Sequence, residues 1–129
     1  MSKTLVLYDS RVDHIAWEED TAVVHLSVGY IHEAKGKPGG AATAEWSQEA
    51  NIILEHATLL GPVPPLPNTI DSGFLAVGGS WHEMIPLPFK RNKPGRLYLH
   101  FVDKSEIEIS GELPRIDLLG SPLFLEKTG

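Results

Sequence analysis

The segment TAVVHLSVGYIH, residues 21–32, alternates side chains at period two: Val24, Leu26, Val28 and Tyr30 fall on one side, with Val23, His25, Ser27 and Ile31 on the other. β-Branched and aromatic residues spaced this way line the two faces of a strand, whereas a helical period of 3.6 would scatter them. The polar break Glu18-Glu19-Asp20 precedes it. It is short enough for a hairpin turn, so residues 11–17 and 21–32 are expected to pair antiparallel. Twelve glycines and ten prolines in 129 residues divide the rest of the chain into short segments, again favouring strands and turns over long helices.

The same reading continues along the chain. Residues 33–42, EAKGKPGGAA, read as a mobile hairpin loop and lack the Lys-Ser/Thr pair of a phosphate-binding loop. Residues 44–60 fit two patterns. A helix capped by Ser47 would bury Ala50, Ile53, Leu54 and Ala57; a strand would place Trp46, Ala50, Ile52 and Leu54 opposite Ser47, Glu49, Asn51 and Glu55. The strand is expected, because its polar face separates cleanly. Four prolines make residues 61–69 a rigid extended crossover rather than a central strand, and a P-x-x-P ligand is the alternative. RLYLHFV and SEIEISG form a hairpin turning at Asp103-Lys104, with Leu97, Leu99, Phe101, Ile107 and Ile109 inward. RIDLLGSPLFLE reads as one more strand, broken by Gly120 and Pro122. The expectation is a mainly β protein, residues 1–129 as a single antiparallel β-sandwich or barrel-like meander with few or no helices.

One stretch resists simple alternation. LVLYDSRVDHIAW, residues 5–17, is apolar at both ends but carries Asp9-Ser10-Arg11 in the middle. As an unbroken strand, its odd face would run Leu, Leu, Asp, Arg, Asp, Ile, Trp. A bulge or tight turn at Asp9-Ser10 removes the conflict, since one extra residue moves later side chains to the other face. Asp9 and Ser10 suit that place because their side chains bond nearby backbone. The Asp9 carboxylate is expected to accept those bonds, with Arg11 beside the sheet edge.

Composition excludes several chemistries. There are no cysteines, hence no disulfide, thiolate metal site or cysteine nucleophile; this fits a cytoplasmic protein. The N-terminal apolar run is too short for a signal-peptide core, and no stretch approaches a membrane span. A net charge of −6 with interspersed signs argues against nucleic-acid binding. His32-Glu33 and His82-Glu83 begin like H-E-x-x-H, but Gly36 and Pro86 stand where the second histidine is needed. The six histidines are therefore read as solvated or hydrogen-bonded, although His25 and His100 would meet if their strands were neighbours. Ser80, in Gly78-Gly79-Ser80-Trp81-His82, lacks the final glycine and the helix of a nucleophile elbow; the glycines read as a bulge or bend. No acid pair stands out, and no cofactor is implied.

The surface candidates are few. Trp81, His82 and Met84 form a patch of the residue types favoured at interfaces, the ordinary alternative being that Trp81 fills the core. Lys90 and Arg91 open a basic turn running to Arg96, which would hold an acidic partner or an anion, or stand as a solvated hairpin tip. Arg11 is a further partner-binding candidate.

Leu7-Tyr8-Asp9-Ser10-Arg11-Val12 resembles the start of uncharacterised small bacterial β proteins that open with L-H-D-S or L-H-D-A followed by a strand. Trp46-Ser47-Gln48 and Ile107-Glu108-Ile109-Ser110-Gly111 fit the same layout, and the first thirty residues carry the likeness. Some proteins of that appearance accompany secreted toxins and are suspected immunity factors. Tyr8 replaces their usual histidine, so no histidine-dependent role is carried over, and no catalytic residue is implied. The leading expectation is a non-enzymatic binding module, an immunity or accessory protein, with a protein partner that is basic. A ligand-binding barrel and a small enzyme or metal site built from histidines on different strands are the alternatives.

Overall fold

The computed structural model describes residues 2–36 and 42–127. The tip of the 33–42 loop, and with it the expectation that this loop is mobile, lies outside the described residues. Eight strands follow one another: β1 (Ser2–Glu18), β2 (Thr21–Ala34), β3 (Ala42–Leu60), β4 (Asn68–Val77), β5 (Ser80–His82), β6 (Met84–Leu87), β7 (Pro94–Phe101) and β8 (Glu106–Lys127). There is no helix among the described residues. The strands form one antiparallel sheet ordered β5-β4-β7-β8-β3-β2-β1-β6, and a pairing of β4 with β1 closes it into a ring.

The sheet has a closed half and an open half, divided by a line of register shifts. On β1, Val6 pairs with Tyr30 and Arg11 with Val28, five steps along β1 against two along β2. On β2 the shift lies between Leu26 and Gly29, and on β8 it lies between Leu119 and Leu123. On one side of this line β1 is bordered by β4, through Arg11–Thr69 and Val12–Asn68. On the other it is bordered by β6, from Lys3–Leu87 to Val6–Met84. β1 therefore changes neighbours at the polar island, and the island is the corner of the sheet.

The corner replaces the expected single extra residue with three, an odd number that still reverses the side-chain parity. Leu5 and Leu7 point inward before it; Ser10 and Val12 point inward after it. Asp9 is exposed, with φ 68°, in the left-handed region that Asp tolerates better than most residues. The fastening hydrogen bonds come from Ser10 rather than from the Asp9 carboxylate. Fully buried Ser10 donates from Oγ to the Val6 carbonyl at 2.6 Å and accepts the Tyr30 N–H at 3.1 Å. A hydroxyl does both at once, where a carboxylate only accepts.

Parity changes on β2 for the same reason. Ala22, Val24 and Leu26 are buried, but beyond the shift it is Gly29 and Ile31 that face inward, not the expected Val28 and Tyr30. β3 is a strand, with Ala50, Ile52 and Leu54 buried. SEIEISG and RIDLLGSPLFLE are a single 22-residue strand rather than two. It stays continuous because it bends, at Leu113 with φ 50° and at Gly120 with φ 64°. Gly111 has no room for a side chain, since a Cβ would lie 2.8 Å from the Glu55 carbonyl oxygen. Gly78-Gly79 is a two-residue hairpin turn between β4 and β5, both residues at positive φ, rather than a bulge. The β7–β8 hairpin turns through Val102–Ser105 around Asp103-Lys104. Leu26, Leu54, Ile70, Leu75, Leu97, Leu99, Phe101 and Ile109, all fully buried, fill the interior of the sheet.

Candidate functional site

In the closed half β8 has neighbours on both sides: Glu112 pairs with Glu55 of β3 and with Pro94 of β7. Its pairing with β7 ends there, and past the bridge of Arg115 to Lys90 and the bond from Ile116 N–H to the Phe89 carbonyl, no strand borders that side among the described residues. From Asp117 onward β8 is an open edge, paired among the described residues with β3 alone. This edge is unusually apolar. Leu118 is 41% exposed, Leu123 64%, Phe124 48% and Leu125 43%. Successive strand residues point to opposite faces, so the exposure of Leu123, Phe124 and Leu125 together means that both faces reach solvent. Acidic residues flank the run, with exposed Asp117 at one end and exposed Glu126 at the other. Behind it Trp46 meets Phe124 edge-on at 4.9 Å, and the buried Trp46 indole N–H has no acceptor among the described residues.

The surface residues named from sequence are not gathered into one patch. Trp81 is 64% exposed rather than in the core. It stacks on Phe74 with ring centroids 4.4 Å apart, Phe74 adjoins Tyr98 at 5.5 Å, and the Arg96 guanidinium lies over both Phe74 and Trp81. His82 and Arg91 meet at Phe89, the histidine edge-on at 5.6 Å and the guanidinium 4.2 Å above the ring. Burial and the Arg91 charge push the His82 imidazole below the ordinary histidine range. Met84 lines a separate cleft of about 340 Å³ with Val6, Tyr8, Asp71, Ser72, Gly73 and Glu83. Lys90 and Arg91 border a cleft of about 460 Å³ with Glu55 and Arg115. Their turn is no free hairpin tip, because Arg91 N–H donates to the Pro114 carbonyl and Leu113 N–H to the Lys93 carbonyl. Arg11 lies at the β1–β4 seam, its Nη1 3.4 Å from Thr69 Oγ1, and not at a free edge.

Histidines converge with acids. His25 does not meet His100, which pairs with Asp71 at 3.5 Å. Instead, Asp13, His14 and His25 bring potential metal-ligating atoms within 4.8 Å of one another. His56 is hydrogen-bonded to Asp20 at 2.7 Å, and His32 Nε2 lies 3.1 Å from Glu45 Oε1. Sequence reasoning missed the Asp13–His14–His25 cluster and the open edge. The available signals were the adjacent Asp-His pair and the apolar LLGSPLFL run, which has too many large apolar residues for a strand with a solvated face.

No protein-family model, curated protein or solved structure matches the chain. No helix among the described residues is long and apolar enough to cross a membrane.

Proposed function

We propose that the protein is a non-enzymatic binding module that receives an extended strand of a partner protein on the open edge of β8, between Asp117 and Glu126. The observation that carries this reading is an unpaired strand edge displaying four exposed large apolar residues. Unpaired backbone donors and acceptors are a template for strand addition, and contiguous exposed apolar surface marks interaction sites. Gly120 and Pro122 interrupt the ladder, and Pro122 has no N–H to offer. This leaves Leu123–Glu126 as the main recognition segment and discourages unlimited edge stacking.

Charge selects the partner. The chain has a net charge of −6, and the apolar run is acidic at both ends, so a strand with an apolar centre and basic flanks is complementary. Pairing the whole run antiparallel with a second copy would set Asp117 against Glu126 twice, a like-charge arrangement that disfavours a homodimer. Neutralisation of a basic toxin in the cytoplasm is one such role, supported by the resemblance of Leu7–Val12 and by the absence of cysteine.

Selection of a random linear-peptide library on the immobilised protein tests the reading. The enriched peptides are expected to carry apolar residues between basic flanks. Leu123→Asp with Leu125→Asp, both at exposed positions, should weaken their binding by about tenfold or more, the scale of losing one buried leucine's worth of contact. Binding that survives the double variant would refute the proposal. A dimer of the free protein dissolved by the same variant would assign the edge to a second copy instead.

A further inference from the structure

Adjacent residues of a regular strand face opposite ways, so Asp13 and His14 would ordinarily be separated by the sheet. The pairing of β1 with β2 prevents this. Val12 pairs with Leu26 and His14 with His25, two steps on β1 against one on β2. Asp13 is the extra residue of this bulge, which turns it to the same outer face as its neighbour. The carboxylate then sits between two imidazoles: Oδ1 is 2.5 Å from His25 Nδ1 and Oδ2 is 3.1 Å from His14 Nδ1. The two rings lie side by side, centroids 4.7 Å apart and tilted by 30°. On its far side His25 Nε2 is 3.0 Å from Glu49 Oε2, contributed by β3.

We propose that Asp13, His14 and His25 bind a divalent first-row transition-metal ion, with Glu49 positioning His25. Two imidazole nitrogens and one carboxylate oxygen suit zinc, cobalt, nickel or copper and disfavour calcium and magnesium, which prefer an all-oxygen shell. At metal–ligand bonds of about 2.0–2.2 Å the donor atoms stand roughly 3.3 Å apart in tetrahedral geometry. The donors here already lie within 4.8 Å, so side-chain rotation brings them into position. Both Nδ1 atoms face the Asp13 carboxylate, and an ion there takes the Nδ1 lone pairs while each neutral ring carries its proton on Nε2. Glu49 then holds His25 by its Nε2–H, the carboxylate–histidine–metal arrangement that orients a ligand ring and raises its basicity. His14, on the exposed side, leaves the remaining coordination positions open to water. The site lies on β1 and β2, with Glu49 on β3 opposite Leu119 of β8, and its ligands do not depend on the binding role given to the β8 edge.

The test is a titration of the untagged protein with Zn²⁺, followed by NMR of the histidine rings and by calorimetry. The expected result is one ion per chain, with shifts confined to His14 and His25. His14→Asn and His25→Gln should each abolish or severely weaken binding, and Glu49→Gln should weaken it by about tenfold or more. Mg²⁺ and Ca²⁺ should leave the rings unshifted. His14 is a surface side chain, 57% exposed, so its replacement leaves the fold intact and keeps the test decisive. No binding at millimolar zinc, or binding that persists in His14→Asn with shifts at His56 or His32, would overturn the proposal.

Discussion

Ser10→Ala removes the buried side chain that fastens the corner of the sheet. Ser10 is fully buried, donates to the Val6 carbonyl and accepts the Tyr30 N–H. Alanine fits the same space but fills neither role. The Tyr30 donor loses its acceptor in a part-buried setting, at about 1–3 kcal/mol, and the second hydrogen bond adds about 1 kcal/mol. The sum, about 2–4 kcal/mol, is a large share of the stability of a domain this size. With a urea m-value of about 1.5 kcal/mol/M, a loss of 3 kcal/mol lowers the unfolding midpoint by roughly 2 M, at unchanged slope. Asp9→Gly is the matched control. With φ at 68°, Asp9 serves the corner through its backbone, and glycine adopts that conformation without strain, so stability should hold or rise slightly. Urea unfolding of both variants, followed by tryptophan fluorescence, is the assay. A loss below about 0.5 kcal/mol in Ser10→Ala, or a larger loss in Asp9→Gly than in Ser10→Ala, would refute the reasoning.

Leu26, fully buried on β2, should cost about 2–5 kcal/mol when cut to alanine, measured by thermal or urea unfolding; a loss near zero would put the β2 register in error. The hydrogen bond from His56 to Asp20, aided by the Asp20 charge, raises the histidine's folded-state pKa above its ordinary value. The linked stabilisation is therefore complete below about pH 6.5 and is lost as pH rises through the raised value. An NMR titration should find His56 above the ordinary range, returned towards it by Asp20→Asn, and an unchanged titration in that variant would remove Asp20 as the cause.

Strands were legible where alternation was clean and bulges were few. Leu97, Leu99, Phe101, Ile107 and Ile109 face inward as their spacing implies, and the β1–β2 hairpin turns at Glu19-Asp20. The conflict at Asp9-Ser10 was visible as a parity error, but not how it is resolved. Whether the bulge adds one residue or three depends on β1 exchanging β6 for β4, a long-range pairing that local sequence does not encode. Val28 and Tyr30 were misplaced for the same reason, because the corner crosses β2 as well. Asp13 and His14 were separated in the reading by a rule for regular strands, and the bulge that unites them is set by pairing with β2. The open edge was hidden because RIDLLGSPLFLE reads as a strand whichever neighbours it has. Only the topology shows that its outer side has none past Ile116 among the described residues.

Amide hydrogen exchange along β8, with and without a peptide selected for binding, tests the central claim most directly. In the free protein, the amides of Leu123–Glu126 that point away from β3 face solvent and should exchange quickly. Strand addition gives them backbone acceptors, so the account predicts marked slowing confined to Asp117–Glu126, with the rest of the sheet unchanged. Peptide binding that protects another surface, and leaves the Leu123–Glu126 amides exchanging as in the free protein, would contradict it.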